Sequence, residues 1–152
     1  MANKALWSVP SYTCVSALTC AEILTLANDT LSCASGAISN SSSTAHIYSA
    51  WELLTWIGTG TCTPYVTLYM LPALDLTNFA ASDDKSMLMG IFSLTTATST
   101  AANTMKRVPL VNVTVPPFDF KVAIENKTGQ AFSTALGASQ LRAWLYDVNL
   151  NG

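Results

Sequence analysis

The chain has 152 residues, half of them hydrophobic and only 11% charged, with a net charge of −2 from 9 acids and 7 bases. This length suits one domain that buries about two thirds of its unfolded surface, and no run of about 18 or more residues is continuously apolar, which argues against a membrane span. The bases are scattered, with Lys106-Arg107 the only adjacent pair, so the clustered footprint needed for nucleic acid is missing.

Globular domains carry about 25% charged residues. Here Ser, Thr and Asn must supply much of the polar surface. That suits a protein living against other subunits, and equally a turn-rich β domain.

Residues 1–17 read as an N-terminal arm leading into a short strand near 11–17, and residues 18–152 as one domain. The apolar run after Lys4 is broken by Ser8, Pro10, Ser11, Tyr12 and Thr13. It makes a poor signal sequence, so the N-terminus is expected to belong to the mature fold. Thr19-Cys20-Ala21-Glu22 fits a capping box, and Leu18, Ile23, Leu24, Leu26 and Ala27 form an apolar stripe. A short helix ending at Asn28-Asp29 is predicted. The Ser-rich stretch 32–45 reads as a loop, or as a loop with a short strand before Asn40.

Residues 46–57 predict a strand with Ile47, Trp51, Leu53 and Ile57 on one face. Residues 64–71 predict its hairpin partner across the turn Gly58-Thr59-Gly60-Thr61. A long polar connection runs from Pro72 to Asp84. A strand over 87–95 follows, with Gly90 as a bulge, and 96–104 reads as a loop. Val108 to Val115 and Phe118 to Glu125 predict two strands of an antiparallel sheet, broken at Pro116-Pro117 and closed by the turn Asn126-Lys127-Thr128-Gly129. Residues 131–139 read as a short edge and turn, and 140–148 as the last strand. About seven or eight short strands and one small helix give an all-β, antiparallel, jelly-roll-like sandwich.

Catalytic patterns are sparse. The only histidine, His46, would have to serve any Ser or Cys nucleophile, and a polar role at a strand end is the simpler reading. Glu52, Asp75, Asp119 and Glu125 could supply a carboxylate pair, but Asp119 and Glu125 fall on the polar side of a half-buried strand. Asp83-Asp84 lacks a calcium-loop pattern. Cysteines at 14, 20, 33 and 62 match no zinc or redox spacing. Buried free thiols are favoured over two disulfides. Sequons at Asn28, Asn40, Asn112 and Asn126 arise readily in a Thr/Asn-rich chain. No catalytic residue, cofactor or metal ligand is assigned. Four tryptophans and the tyrosines could build a sugar-stacking platform, but aromatics also fill sandwich cores.

Several segments taken together resemble a group of small tailed-phage virion proteins. They are Leu68-Tyr69-Met70-Leu71-Pro72-Ala73-Leu74-Asp75, Gly90-Ile91-Phe92-Ser93-Leu94, Pro116-Pro117-Phe118-Asp119-Phe120-Lys121 and Asn126-Lys127-Thr128-Gly129. The likeness spans most of residues 18–148 and departs where Leu76, not Gly, follows Asp75. It implies a non-enzymatic structural protein similar to capsid decoration (cement) proteins. Such a protein is made in the bacterial cytoplasm and binds the major capsid protein on the outer capsid surface. A homo-oligomer is implied, with a trimer ahead of a dimer. Trp7, Val9 and Tyr12 are the expected arm contacts, and Tyr65 and Tyr69 the expected subunit interface. The alternative is a tail-associated or surface carbohydrate-binding sandwich gripping a glycan through exposed tryptophans.

Overall fold

A computed structural model describes residues 14–18, 23, 25–41, 45–57, 60–61, 65–73, 78–80, 85, 87–94, 98–99, 104–132 and 139–147. The strands are β1 (Cys14–Leu18), β2 (Tyr48–Ile57), β3 (Gly60–Thr61), β4 (Tyr65–Pro72), β5 (Met87–Ser93), β6 (Thr98–Ser99), β7 (Thr104–Thr114), β8 (Phe120–Lys127) and β9 (Gln140–Tyr146). They form a first sheet in the order β1-β9-β2-β7, a second in the order β5-β4-β8, and a small β3-β6 ribbon, all antiparallel.

The Ser-rich stretch completes the second sheet. Leu31 and Ile38 bridge Glu125 and Phe120 of β8. Between them, the N–H groups of Ser32, Ser35 and Ile38 donate to the carbonyls of Ile124, Val122 and Phe120 at 2.9, 2.8 and 2.7 Å. The segment advances three residues for every two of β8, so a regular ladder is lost. Serine hydroxyls repair it: Ser32 Oγ accepts from Ile124 N–H at 3.1 Å, and Ser35 Oγ from Val122 N–H at 2.9 Å. Buried backbone donors need partners, and here short side chains stand in for carbonyls. With this segment as the second of eight long strands, the sheets read first–eighth–third–sixth and second–seventh–fourth–fifth. That is the strand order of a jelly roll.

One core joins the two sheets. Trp51, Leu53, Ile57, Leu141 and Leu145 come from the first, and Val66, Leu68, Phe92, Phe120, Val122 and Ile124 from the second. The alternation of β2 and β9 is strict, one face buried and the other half-exposed. Trp51 donates its indole N–H to Ser49 Oγ at 2.7 Å, and Ser49 Oγ reaches the Val113 carbonyl at 3.1 Å. The one polar atom of the largest core side chain is thereby satisfied.

Several expectations change. β2 and β4 are not a hairpin: β2 pairs with β7 and β9, β4 with β5 and β8. β7 and β8 likewise lie in different sheets. Pro116-Pro117 offers no N–H groups to a ladder, and the chain crosses between sheets there. Ile47 is exposed rather than facing the core, because it precedes β2; the buried face is Ser49, Trp51, Leu53, Thr55 and Ile57. The expected loop 96–104 contains β6 and the start of β7. The bulge at Gly90 is present, with the register shifting opposite Leu68/Tyr69. A second bulge lies in β7, where Asn112 has φ 59° and Val111 turns to solvent. The capping box Thr19–Glu22 lies outside the described residues. Ile23 is helical, and from Thr25 (φ 59°) onward the chain runs in turns. The Cys33 thiol is free and exposed, not buried, because Ser32, Ser35 and Ile38 are the residues of this segment that point inward.

Candidate interaction faces

The turn motifs build locks, and this accounts for most of the polar residues that the sequence brings forward. Asn126 is fully buried. Its Nδ2 donates to the carbonyls of Leu26 and Gln130, both at 2.8 Å, and its Oδ1 accepts from Thr128 N–H at 3.0 Å and Thr128 Oγ1–H at 2.7 Å. Gly129 takes φ 79° and gives its N–H to Asn28 Oδ1. Asn40 does similar work at the other end of β8, donating to the carbonyls of His46 and Pro116 at 2.9 and 2.6 Å and accepting from His46 N–H. Two of the four sequon asparagines, Asn40 and Asn126, are therefore buried with their amides committed, which closes them to glycosylation in the folded chain. His46 Nδ1 lies 3.0 Å from Asp147 Oδ2.

The carboxylates are dispersed. Asp119 accepts from the Asn40 N–H at 3.0 Å, and a hydrogen bond from Ser41, with help from Asn40, holds its carboxyl below the usual range. Glu125 sits on the opposite side of the molecule from Glu52. Its side chain is 2% exposed and is met by Tyr69 Oη at 3.0 Å, by Lys85, and by Lys127 at 3.3 Å. Burial pushes its carboxyl up, but hydrogen bonds from Lys85, Tyr69 and Lys127 outweigh this and leave it below the usual range. Burial, then Glu125, pushes the Tyr69 phenol up. Lys127 also binds Asp29 at 2.9 Å, and Asp29, then Glu125, raises its ammonium pKa. Glu52 pairs with Arg107 at 3.4 Å. Asp75 and Asp83-Asp84 lie outside the described residues. Among the described residues, no three His, Cys, Asp or Glu side chains converge as a metal site, and no helix is long and apolar enough to cross a membrane.

Asp119 and Glu125 both hold protons less tightly when folded than when unfolded. Their stabilisation is complete above the unfolded values, about 4, and is lost as pH falls through the lower folded ones. The urea midpoint is expected to drop between about pH 5 and 3, with a shallower drop in Glu125→Gln. A midpoint that rises over this window contradicts the assignment.

Two faces remain for recognition. On the outside of the first sheet, Tyr48, Ala50, Glu52, Leu54 and Trp56 of β2 lie beside Gln140, Arg142, Trp144 and Tyr146 of β9. Tyr48 and Tyr146 stack with ring centroids 5.9 Å apart and planes at 28°, and Tyr146 Oη donates to Asn112 Oδ1 at 2.7 Å. The rings are half-exposed and fixed by the sheet beneath them. On the outside of the second sheet, residues 78–80 and Lys85 cover one part: Ala80 N–H reaches the Pro72 carbonyl, Lys121 lies 4.5 Å over the Phe79 ring, and Lys85 reaches Glu125. Beneath them, Leu71 and Ala123 are buried although they point away from the core. The uncovered part carries Tyr65, Leu88 and Ile91.

Tyr65 and Tyr69 thus share the outer face of β4, with Tyr65 exposed and Tyr69 tied to Glu125. Trp7, Val9 and Tyr12 lie outside the described residues. The Ile38–Phe120 bridge matches the short strand expected before Asn40, while the pairing that begins at Leu31 and runs through Ser32 and Ser35 goes beyond that expectation. Sequence reasoning missed the outer face of the first sheet as a unit, because that face needs the β2–β9 register. Compared with known proteins, the chain matches no family model and no curated relative.

Proposed function

We propose that this protein is a non-enzymatic virion structural component. In this reading it is a homo-oligomer that binds the major capsid protein on the outside of a phage shell and braces it. The observation that carries the reading is the outer face of the first sheet, where half-exposed aromatics (Tyr48, Tyr146 and Trp144, with Trp56 beyond Glu52, Arg107 and Arg142) are fixed on a jelly roll. Aromatic anchors on a rigid scaffold are what protein interfaces use for binding energy. Jelly rolls recur in capsid proteins. Many weak contacts repeated around a shell hold by multivalency. The resemblance of the strand and turn motifs to small virion proteins points the same way.

The test is co-sedimentation with empty shells of the encoding phage. Trp144→Ala is expected to weaken binding about 30-fold, the loss of one interface anchor of about 2 kcal/mol, with an unchanged melting temperature. Unchanged binding in both Trp144→Ala and Tyr48→Ala removes this face from the reading. A second reading uses the same face, since stacked Tyr48 and Tyr146 beside Trp144 could also hold a glycan. Under that reading the wild-type protein leaves shells alone and is retained on polysaccharide, and Trp144→Ala abolishes the retention.

A further inference from the structure

We infer that β5 is a self-pairing edge through which two copies of this chain join by extending the second sheet across a two-fold axis. This deepens the homo-oligomer part of the proposed function and concerns contacts in solution, without a shell.

An edge strand presents unpaired N–H and C=O groups, and proteins ordinarily guard such edges with charge, proline, bulges or shortness. The edges here differ in this respect. β7 carries Lys106, Arg107 and Pro109 and a bulge at Asn112 with φ 59°. β1 is five residues long and shifts register between Ser16 and Leu18. The outer edge of the second sheet beyond β8 is filled by the Ser-rich segment. β5, Met87-Leu88-Met89-Gly90-Ile91-Phe92-Ser93, also bulges, at Met89-Gly90, but it has neither charge nor proline, and β4 is its one ladder partner among the described residues. Its bulge places Leu88 opposite Tyr69 and Ile91 opposite Thr67, so both lie on the outer face, 58% and 49% exposed.

A second copy fits this edge for two reasons. The groups to be satisfied are backbone donors and acceptors, which another extended strand matches. A two-fold contact sets each residue against the same patch of its mate, so a charged strand would repel itself. The uncharged β5 does not. Centring the axis between Met89 and Gly90 sets Leu88 of one copy beside Ile91 of the other, twice. Inside the sandwich, Leu110 of β7 packs on Gly90: a Cβ placed there would lie 2.5 Å from the Leu110 Cδ2. The core side of the bulge is therefore filled, and the outer apolar pair is left to a partner.

Sedimentation velocity of the shell-free protein tests this. The wild type is expected to be a dimer in the micromolar range, and Leu88→Lys and Ile91→Lys monomers with the wild-type circular-dichroism spectrum. Ile91→Thr, a strand former, replaces Ile91→Lys if the lysine variant fails to fold. Hydrogen exchange is expected to show concentration-dependent protection at 87–93 and none at 104–114. A monomeric wild type, a closed trimer, or an oligomer that survives both lysine substitutions overturns the proposal. None of these outcomes depends on shell binding, so failure here leaves the shell reading standing, and failure to bind shells leaves the dimer standing.

Discussion

Trp51→Ala is expected to destabilise the fold by about 3–5 kcal/mol, the range for emptying a large aromatic site in a core. Trp51 is the largest fully buried side chain, and it lies in the central part of β2 in the shared core. Its loss also strips Ser49 Oγ of the indole donor, although Ser49 keeps the Val113 carbonyl. For a chain of this size the melting temperature should fall by roughly 10–15 °C. Trp51→Phe keeps most of the packing and should cost about half as much. Thermal unfolding followed by circular dichroism decides it. A shift of only a few degrees in Trp51→Ala would mean that the two sheets are not held together around this residue.

Asn126 yields the second large effect, with a sign that separates its donors from its acceptor. Asn126→Ala removes four buried hydrogen bonds and leaves Thr128 N–H without its acceptor, while Leu26 O keeps Phe132 N–H and Gln130 O keeps Thr128 Oγ1. The expected cost is about 3 kcal/mol. Asn126→Asp keeps the acceptor oxygen but turns the other side-chain oxygen toward the Leu26 and Gln130 carbonyls in a site closed to water. It should be at least as damaging as alanine, because a buried carboxylate facing acceptors is opposed by both desolvation and repulsion. Urea unfolding of the two variants measures the order. If Asn126→Asp is as stable as wild type, the amide is not oriented as described.

These two residues also show what could be read from the sequence. The two-residue period of β2 sets Trp51 on one face with Leu53 and Ile57, a local pattern that survives any choice of partner strand, and the structure shows that this face is the core. The Asn126 turn was legible because Gly129 and Thr128 fit turn chemistry, and the structure adds that the asparagine reaches across to Leu26, 100 residues away in sequence. Partner choice was not legible. β2 and β4 looked like a hairpin because they are adjacent in the chain and a Gly-rich turn separates them, whereas a jelly roll sends nearly every connection across the sandwich. The Ser-rich stretch shows only its end, the short strand before Asn40, for a related reason. It has no alternation to read, since its hydroxyls supply hydrogen bonds that its irregular backbone cannot. The aromatic outer face of the first sheet depends on the pairing of Tyr48 with Tyr146 and of Ala50 with Trp144, a long-range register that no local pattern specifies.

The proposed role of this jelly roll is to brace a phage shell. Its most direct test is the number of copies bound per capsomer when purified protein saturates empty phage shells. Saturation at a fixed small ratio to the major capsid protein is expected, together with shells that withstand heating better than bare ones. Binding that never saturates, or no binding at all, would contradict that role.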